Sequence, residues 1–169
     1  MNVFRFVFKI VTIATILLLF IPEQVHARIV WVPSYKEMLA KSDLVVIANP
    51  ISKTTDTKEE SFLPGIRQTE KDGKQHRIGS IGVETVFAVL AVLKGNAAVK
   101  QVTLHHYREA QPSQGLNDPM LVSFDPSDLS KRSSYLLFLV REPDGRFAPT
   151  GGQTDPGMKS VIPVPFELH

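Results

Sequence analysis

The chain has 169 residues, of which 43% are apolar and 21% are charged. This length suits one domain of ordinary size, and the apolar fraction excludes a fully disordered chain. Nineteen Lys and Arg residues stand against seventeen Asp and Glu residues, so the net charge of +2 does not indicate a nucleic-acid-binding protein. Because there is no cysteine, disulfide bonds, zinc–thiolate sites, iron–sulfur clusters and cysteine nucleophiles are excluded.

The N-terminal residues have the order of a secretory signal peptide. Basic residues precede an uncharged apolar run over residues 10–21, and Val25 and Ala27 occupy the −3 and −1 positions of a cleavage site. An uncleaved membrane anchor is the alternative, but a span needs about 20 apolar residues, which the run reaches only if two basic residues are counted within it. We therefore expect a signal peptide at 1–27, a single domain at 28–169, no stable membrane span after cleavage, and a secreted or periplasmic protein.

A short helix and a strand are expected at the start of the mature chain. Ser34 and Glu37 have the spacing of a capping box, in which each side chain bonds the backbone amide of the other residue. This predicts a helix over 34–41. The apolar run at 44–48 predicts a strand, which the sequence Asn-Pro ends.

Residues 52–80 form a polar segment of mixed charge that is rich in Gly, Ser and Thr. A segment of this length without apolar periodicity is either a mobile insertion or a hairpin excursion. The composition favours a mobile polar loop at about 52–80. Paired carboxylates within it, such as Glu59 and Glu60, are expected to face water.

The segment 83–93 is the strongest element of the chain. Val83, Phe87 and Val89 share one parity, whereas Val92 falls on the other. Such a change of phase indicates a β-bulge, which lets a long strand coil around a barrel. The Ala and Leu residues make a helix the alternative, but the β-branched content favours a strand.

The rest of the chain also has the pattern of strands and turns. Strands are predicted over 99–108, 120–124, 135–140, 146–148 and 160–168. The last of them carries Pro163 and Pro165, whose missing amide donors fall on one side of the strand, as expected of a sheet edge. The chain is therefore predicted to be mostly β, with one short N-terminal helix and five to seven strands in a small barrel or a sandwich.

Four segments support the barrel by their order along the chain. They are Ser-Asp-Leu-Val-Val-Ile-Ala at 42–48, Phe-Ala-Val-Leu-Ala-Val-Leu-Lys-Gly at 87–95, Tyr-Leu-Leu-Phe-Leu at 135–139 and Asp-Gly-Arg-Phe at 144–147. This order resembles uncharacterised exported bacterial proteins and, more distantly, the OB-type barrel of netrin-like domains and tissue inhibitors of metalloproteinases. The resemblance implies a small OB-like β-barrel over about 40–150. Those inhibitors chelate a target's metal through an N-terminal Cys, which this chain lacks, so no functional residue transfers.

The candidate ligand-binding residues are His105, His106 and Tyr107 on the predicted strand 99–108. Because side chains alternate along a strand, His106 is expected on the apolar face, whereas His105 and Tyr107 share the opposite face with Gln101. In OB barrels an exposed polar and aromatic strand face can bind a ligand. The alternative is a solvated strand face with His105 on the surface and His106 at the end of the strand.

No metal, cofactor or catalytic residue is assigned from the sequence. The two neighbouring His residues face opposite sides of a strand, so a metal site would need one of them together with Asp118, Asp125 or Asp128. The glycine-rich turn at 151–155 lacks the Lys of a phosphate-binding loop. The chain has no Gly-x-Ser-x-Gly nucleophile motif either.

The sequence thus predicts an exported, non-enzymatic binding or interaction module. Its expected partner is an envelope or extracellular protein, with no nucleic acid. The alternative is a metal-dependent or other hydrolase with its site near His105 or His106.

Overall fold

The computed structural model describes residues 33–69, 73–111, 121–125, 127–152 and 160–165. The predicted signal peptide at 1–27 and Asp118 lie outside these residues. No helix within the described ranges is long and apolar enough to cross a membrane.

The described part of the chain consists mainly of strands. Its two short helices are α1 (Tyr35–Lys41) and α2 (Asp128–Lys131). The strands are β1 (Leu44–Pro50), β2 (Thr55–Thr69), β3 (Gln75–Lys94), β4 (Gln101–Glu109), β5 (Ser134–Arg141), β6 (Phe147–Pro149) and β7 (Val161–Val164).

Five of the strands close into a barrel. Their order is β1–β3–β4–β6–β5, and β5 pairs back to β1, which closes the sheet. The pairs are antiparallel except β4 with β6, which is parallel. Strands β2 and β7 lie outside this circle and pair with β3 and β5. The prediction of a small OB-like barrel is confirmed, and the sandwich is excluded because the sheet is closed.

The core fills the interior of the barrel. Alternate residues of each strand point inward, as a pleated strand requires. The buried cluster consists of Leu44, Val46, Ala48, Phe87, Val102, Leu104, Val122, Tyr135, Leu137 and Leu139. The ring of Phe124 packs against this core, with its centroid 5.0 Å from that of Phe87.

Two bulges bend β3 along β1. The pairing register between β1 and β3 skips Leu93 and Leu90, and these side chains are 57% and 48% exposed. An extra residue in one strand increases local twist, which lets the 20-residue β3 pair with β2 over its first half and with β1 over its second. The predicted bulge is confirmed, and the helix alternative for 83–93 is wrong.

The polar segment at 52–80 is a hairpin in the structure. Strand β2 and the first part of β3 pair in antiparallel fashion through most of it. The prediction of a loop is wrong here, because backbone pairing with β3 does not require an apolar pattern in β2. The strand predicted over 120–124 is also absent: Leu121 forms an isolated bridge, and residues 122–125 are irregular.

The two ends of the described chain pack on the outside of the barrel. Helix α1 has the predicted capping box between Ser34 and Glu37, and its Met38 is buried against Val45 and Phe138. Strand β7 pairs with β5 on one flank, with Pro163 opposite Tyr135 in the register, in agreement with the predicted edge strand.

Truncation of a leucine is expected to lower the free energy of unfolding strongly in the core and very little at the bulges. Leu137→Ala removes a side chain with no exposed area, so it is expected to lower the free energy of unfolding by about 2–5 kcal/mol. Leu93→Ala removes an equal volume from an exposed bulge and is expected to change it by less than about 0.5 kcal/mol. Chemical denaturation of the purified protein measures both, and equal losses would contradict the assignment of Leu93 to the surface.

Candidate functional site

An irregularity in β2 shapes the candidate site. Three residues of β2, 57–59, stand opposite a single residue of β3, Gly82. The Thr57 hydroxyl donates to the Gly82 carbonyl at 2.8 Å and accepts from the Glu59 backbone amide at 3.1 Å. These bonds replace part of the interrupted ladder, and the bulge brings Glu59 across β3 to side chains of β4.

The absence of a side chain at Gly82 makes room for this arrangement. A Cβ atom at this position would lie 2.9 Å from Thr57 Oγ1, 3.1 Å from Glu59 Cβ and 3.1 Å from His105 Nε2. Real Cβ atoms essentially never come within 3.0 Å of another atom, and contacts of 3.1 Å are tighter than most, so a larger residue at this position would displace its neighbours. Through this packing His105 is only 2% exposed, although it lies on the outer face of the barrel.

His105 lies between two carboxylates. Its Nδ1 is 2.9 Å from Glu142 Oε2, and its Nε2 is 3.3 Å from Glu59 Oε2. The Tyr107 hydroxyl donates to the other Glu59 oxygen, and the Tyr107 ring centroid lies 5.0 Å from that of His105. Burial, together with the hydrogen bond to Glu59, raises the pKa of Tyr107 to about 12. Tyr107 is therefore a neutral hydrogen-bond donor at physiological pH.

Arg146 brings four carboxylates together. Its Nη1 is 2.9 Å from Glu84 and its Nε is 2.7 Å from Asp144, while Glu59 and Glu142 lie 3.6 and 3.7 Å from the guanidinium. Partial burial opposes the charge of Arg146, but the hydrogen bonds to Glu84 and Asp144 outweigh it and raise its pKa. The hydrogen bond from the Arg146 backbone amide lowers the pKa of Asp144.

These side chains form one surface on the outside of β3 and β4. We call it the β4 charge cluster and define it as Glu59, Glu84, His105, Tyr107, Glu142, Asp144 and Arg146. Four carboxylates face one guanidinium, so the cluster is negative whether or not His105 is protonated.

His106 lies inside the barrel at the centre of a hydrogen-bond chain. Its Nδ1 donates to the Val122 carbonyl at 2.9 Å, and its Nε2 is 3.0 Å from the Thr85 hydroxyl. The Thr85 hydroxyl is in turn 2.7 Å from the Thr54 hydroxyl. Burial lowers the pKa of His106 to about 4, so the ring is neutral at pH 7.

The predicted division of the three site residues between two faces is confirmed. His105 and Tyr107 lie outside the barrel, and His106 lies inside it. The alternative with a surface His105 and a strand-end His106 is wrong, because each is only 2% exposed. Gln101 is exposed at the start of β4 and is not part of the cluster. A ligand-binding role for His105, His106 and Tyr107 remains a prediction.

The geometry does not favour a metal at either histidine. The two carboxylates near His105 lie at opposite ring nitrogens, so the three groups do not converge on one point. The Asp125 carboxylate accepts a hydrogen bond from the Ser127 amide at 2.7 Å, and Asp128 is the first residue of α2. Within the described parts of the chain, no group of three or more His, Asp or Glu side chains could hold a metal ion.

The sequence did not identify the charged residues around His105. Glu59 was expected to face water from a loop, but it contacts His105, Tyr107 and Arg146. Arg146 is predicted as the first residue of the strand 146–148, and Asp144 belongs to the Asp-Gly-Arg-Phe segment, but the sequence indicates no charged partner for either. The segment 55–59 is polar throughout and shows no apolar alternation, and the bulge that redirects Glu59 has no sequence signature of its own.

Comparisons of the chain with protein-family models, with curated proteins and with solved structures find no match. The function must therefore be argued from the site itself.

Substitution of Gly82 tests the packing that forms the site. Gly82→Ala is expected to lower the free energy of unfolding by about 1–3 kcal/mol, because the new methyl group overlaps with Thr57 and His105. Gly79→Ala on the same strand is the matched control, since its Cβ would lie 3.4 Å from the nearest atom, in ordinary contact. Equal stability of the two variants in chemical denaturation would contradict this role of Gly82.

Acidification tests the burial of His106. Its pKa of about 4 in the folded protein lies below the ordinary value of 6.5, so the unfolded chain binds the proton more readily. The neutral His106 ring therefore contributes fully to the free energy of unfolding above about pH 6.5. As the pH falls from 6.5 towards 4, about 3 kcal/mol of this free energy is lost. We expect His106→Asn to reduce the fall in melting temperature between pH 7 and pH 5, whereas His76→Gln, at an exposed position, leaves it unchanged. An unaltered pH dependence in His106→Asn would exclude this linkage.

Proposed function

We propose that the chain is an exported, non-enzymatic binding module that uses the β4 charge cluster to bind a basic segment of an envelope or extracellular protein. The observation that carries the proposal is the local excess of carboxylates. Four of them surround one guanidinium, although the whole chain has a net charge of +2. The side chain of Asp144 is 50% exposed and that of Glu59 is 38% exposed, so a partner can reach both carboxylates.

The hydrogen bonds within the cluster support a binding role. Its residues come from β2, β3, β4 and the β5–β6 turn, and Arg146 and His105 link these elements. Side chains that are already held in place lose little conformational entropy on binding. A charged surface of this kind also attracts an oppositely charged partner before contact.

The state of the polar groups favours binding over catalysis. Both nitrogens of His106 are bonded within the barrel, and both nitrogens of His105 face carboxylates. The Thr57 hydroxyl, which lies near His105, donates to the Gly82 carbonyl rather than to the imidazole. Export is supported by the signal-peptide pattern at 1–27.

Binding of short peptides tests this proposal. A fluorescent decalysine peptide is expected to bind the purified protein with an affinity that falls as salt rises, and a decaglutamate peptide is expected not to bind. Asp144→Asn and Glu84→Gln should each weaken decalysine binding by about three- to tenfold. Glu60→Gln removes the same charge from an exposed position of β2 outside the cluster and should have a smaller effect.

Three results would contradict the proposal. In fluorescence anisotropy they are equal weakening of decalysine binding by Glu60→Gln and the absence of a preference for the basic peptide. The third is turnover of an ester, peptide or phosphate substrate that is lost in His105→Gln, which would instead support the hydrolase alternative.

A further inference from the structure

A second feature of the fold is a cavity of about 170 Å³, and none of its lining residues belongs to the β4 charge cluster. It opens where β1 ends and the chain crosses into β2, and the segment after β4 forms its other wall. This volume is large enough for several water molecules or one small organic molecule. Its apolar lining comes from Pro50, Phe124 and Leu129.

The hydrogen-bond chain of His106 determines whether the Thr54 hydroxyl in this cavity can donate a hydrogen bond or only accept one. The Val122 carbonyl can only accept, so Nδ1 of the neutral His106 ring carries the hydrogen and Nε2 accepts from Thr85. The Thr85 hydroxyl has then used its hydrogen, and the Thr54 hydroxyl must donate to it. Thr54, which lines the cavity, therefore presents only acceptor lone pairs to a ligand.

Asp125 adds a second acceptor to the cavity wall. One of its oxygens accepts the Ser127 amide, and a carboxylate has about four lone-pair positions, so it can accept further hydrogen bonds. The bond from Ser127 lowers the pKa of Asp125, which keeps this carboxylate charged.

Lys53 and Ser52 supply donors to the same cavity. The Ser52 hydroxyl oxygen accepts the Val86 amide at 3.0 Å, so its hydrogen can point to a ligand. No carboxylate within the described ranges lies at ion-pair distance from the Lys53 ammonium. One small cavity thus combines an ammonium, a carboxylate and an apolar wall.

We infer that this cavity binds a small α-amino acid with an apolar side chain. The ligand's ammonium donates to Thr54 Oγ1 and to Asp125, its carboxylate accepts from Lys53 and Ser52, and its side chain packs on Phe124 and Leu129. A ligand with only one of the two charges would meet a like charge in the wall. The inference is independent of the proposed function, because it uses none of the residues of the β4 charge cluster.

Three ligands of matched shape test the inference by NMR titration of the purified protein. L-valine is expected to shift the backbone amides of residues 52–54 and the imidazole of His106 in a saturable manner. Isovalerate lacks the ammonium and isobutylamine lacks the carboxylate, and each should bind at least tenfold more weakly. Equal binding of all three, or saturable binding that leaves residues 52–54 unshifted, would overturn the inference.

Variants of the cavity provide a second test. Lys53→Met should weaken valine binding at least fivefold. Lys58→Met removes an exposed lysine of β2 outside the cavity and should not weaken valine binding. Leu129→Trp should abolish binding by filling the cavity without removing a polar group. Retained valine binding in Leu129→Trp, or equal weakening by the two lysine variants, would exclude the site. Asp144→Asn should leave valine binding unchanged, so a failure here and a failure of the proposed function give different results.

Discussion

The close approach of two strands over Gly82 is the constraint on which the candidate site depends. Because position 82 has no side chain, Thr57, Glu59 and the His105 ring all occupy the space above it. The Thr57 hydroxyl stabilises the three-to-one bulge by bonding both the Gly82 carbonyl and the Glu59 amide. The position of Glu59, the burial of His105 on an outer face and the contact with Tyr107 all follow from this local packing.

Two adjacent histidines show how the barrel separates polar groups. Strand alternation sends His106 into the interior, where a carbonyl and a hydroxyl satisfy the ring and burial keeps it neutral. His105 is equally buried, but under side chains from β2 and the β5–β6 turn, and its partners are carboxylates. The two histidines are thus equally buried but have very different electrostatic surroundings, because His105 is next to carboxylates and His106 is next to a carbonyl and a hydroxyl.

Much of the fold could be predicted from local patterns. The capping box of Ser34, the bulge in β3 and the inward direction of His106 depend on neighbouring residues, so the sequence shows them. The hairpin formed by β2 and the first part of β3 could not be predicted in this way. The residues at the start of β2 are mostly polar, so neither face of this strand carries a continuous apolar stripe that would mark it in the sequence. The contacts of Glu59 with β4 depend on a register shift, and register is a property of two strands rather than one.

By itself, the sequence determined a mostly-β domain with a bent central strand, a proline-protected edge and histidines on opposite faces of β4. These features arise from alternation, turn residues and missing amide donors, which act over a few residues. Only the tertiary structure decided which charges meet. Arg146 contacts carboxylates that lie up to 87 positions away from it along the chain, and Lys53 and Asp125 line one cavity from two distant segments. Such groups meet because the barrel closes, and no local pattern encodes the closure.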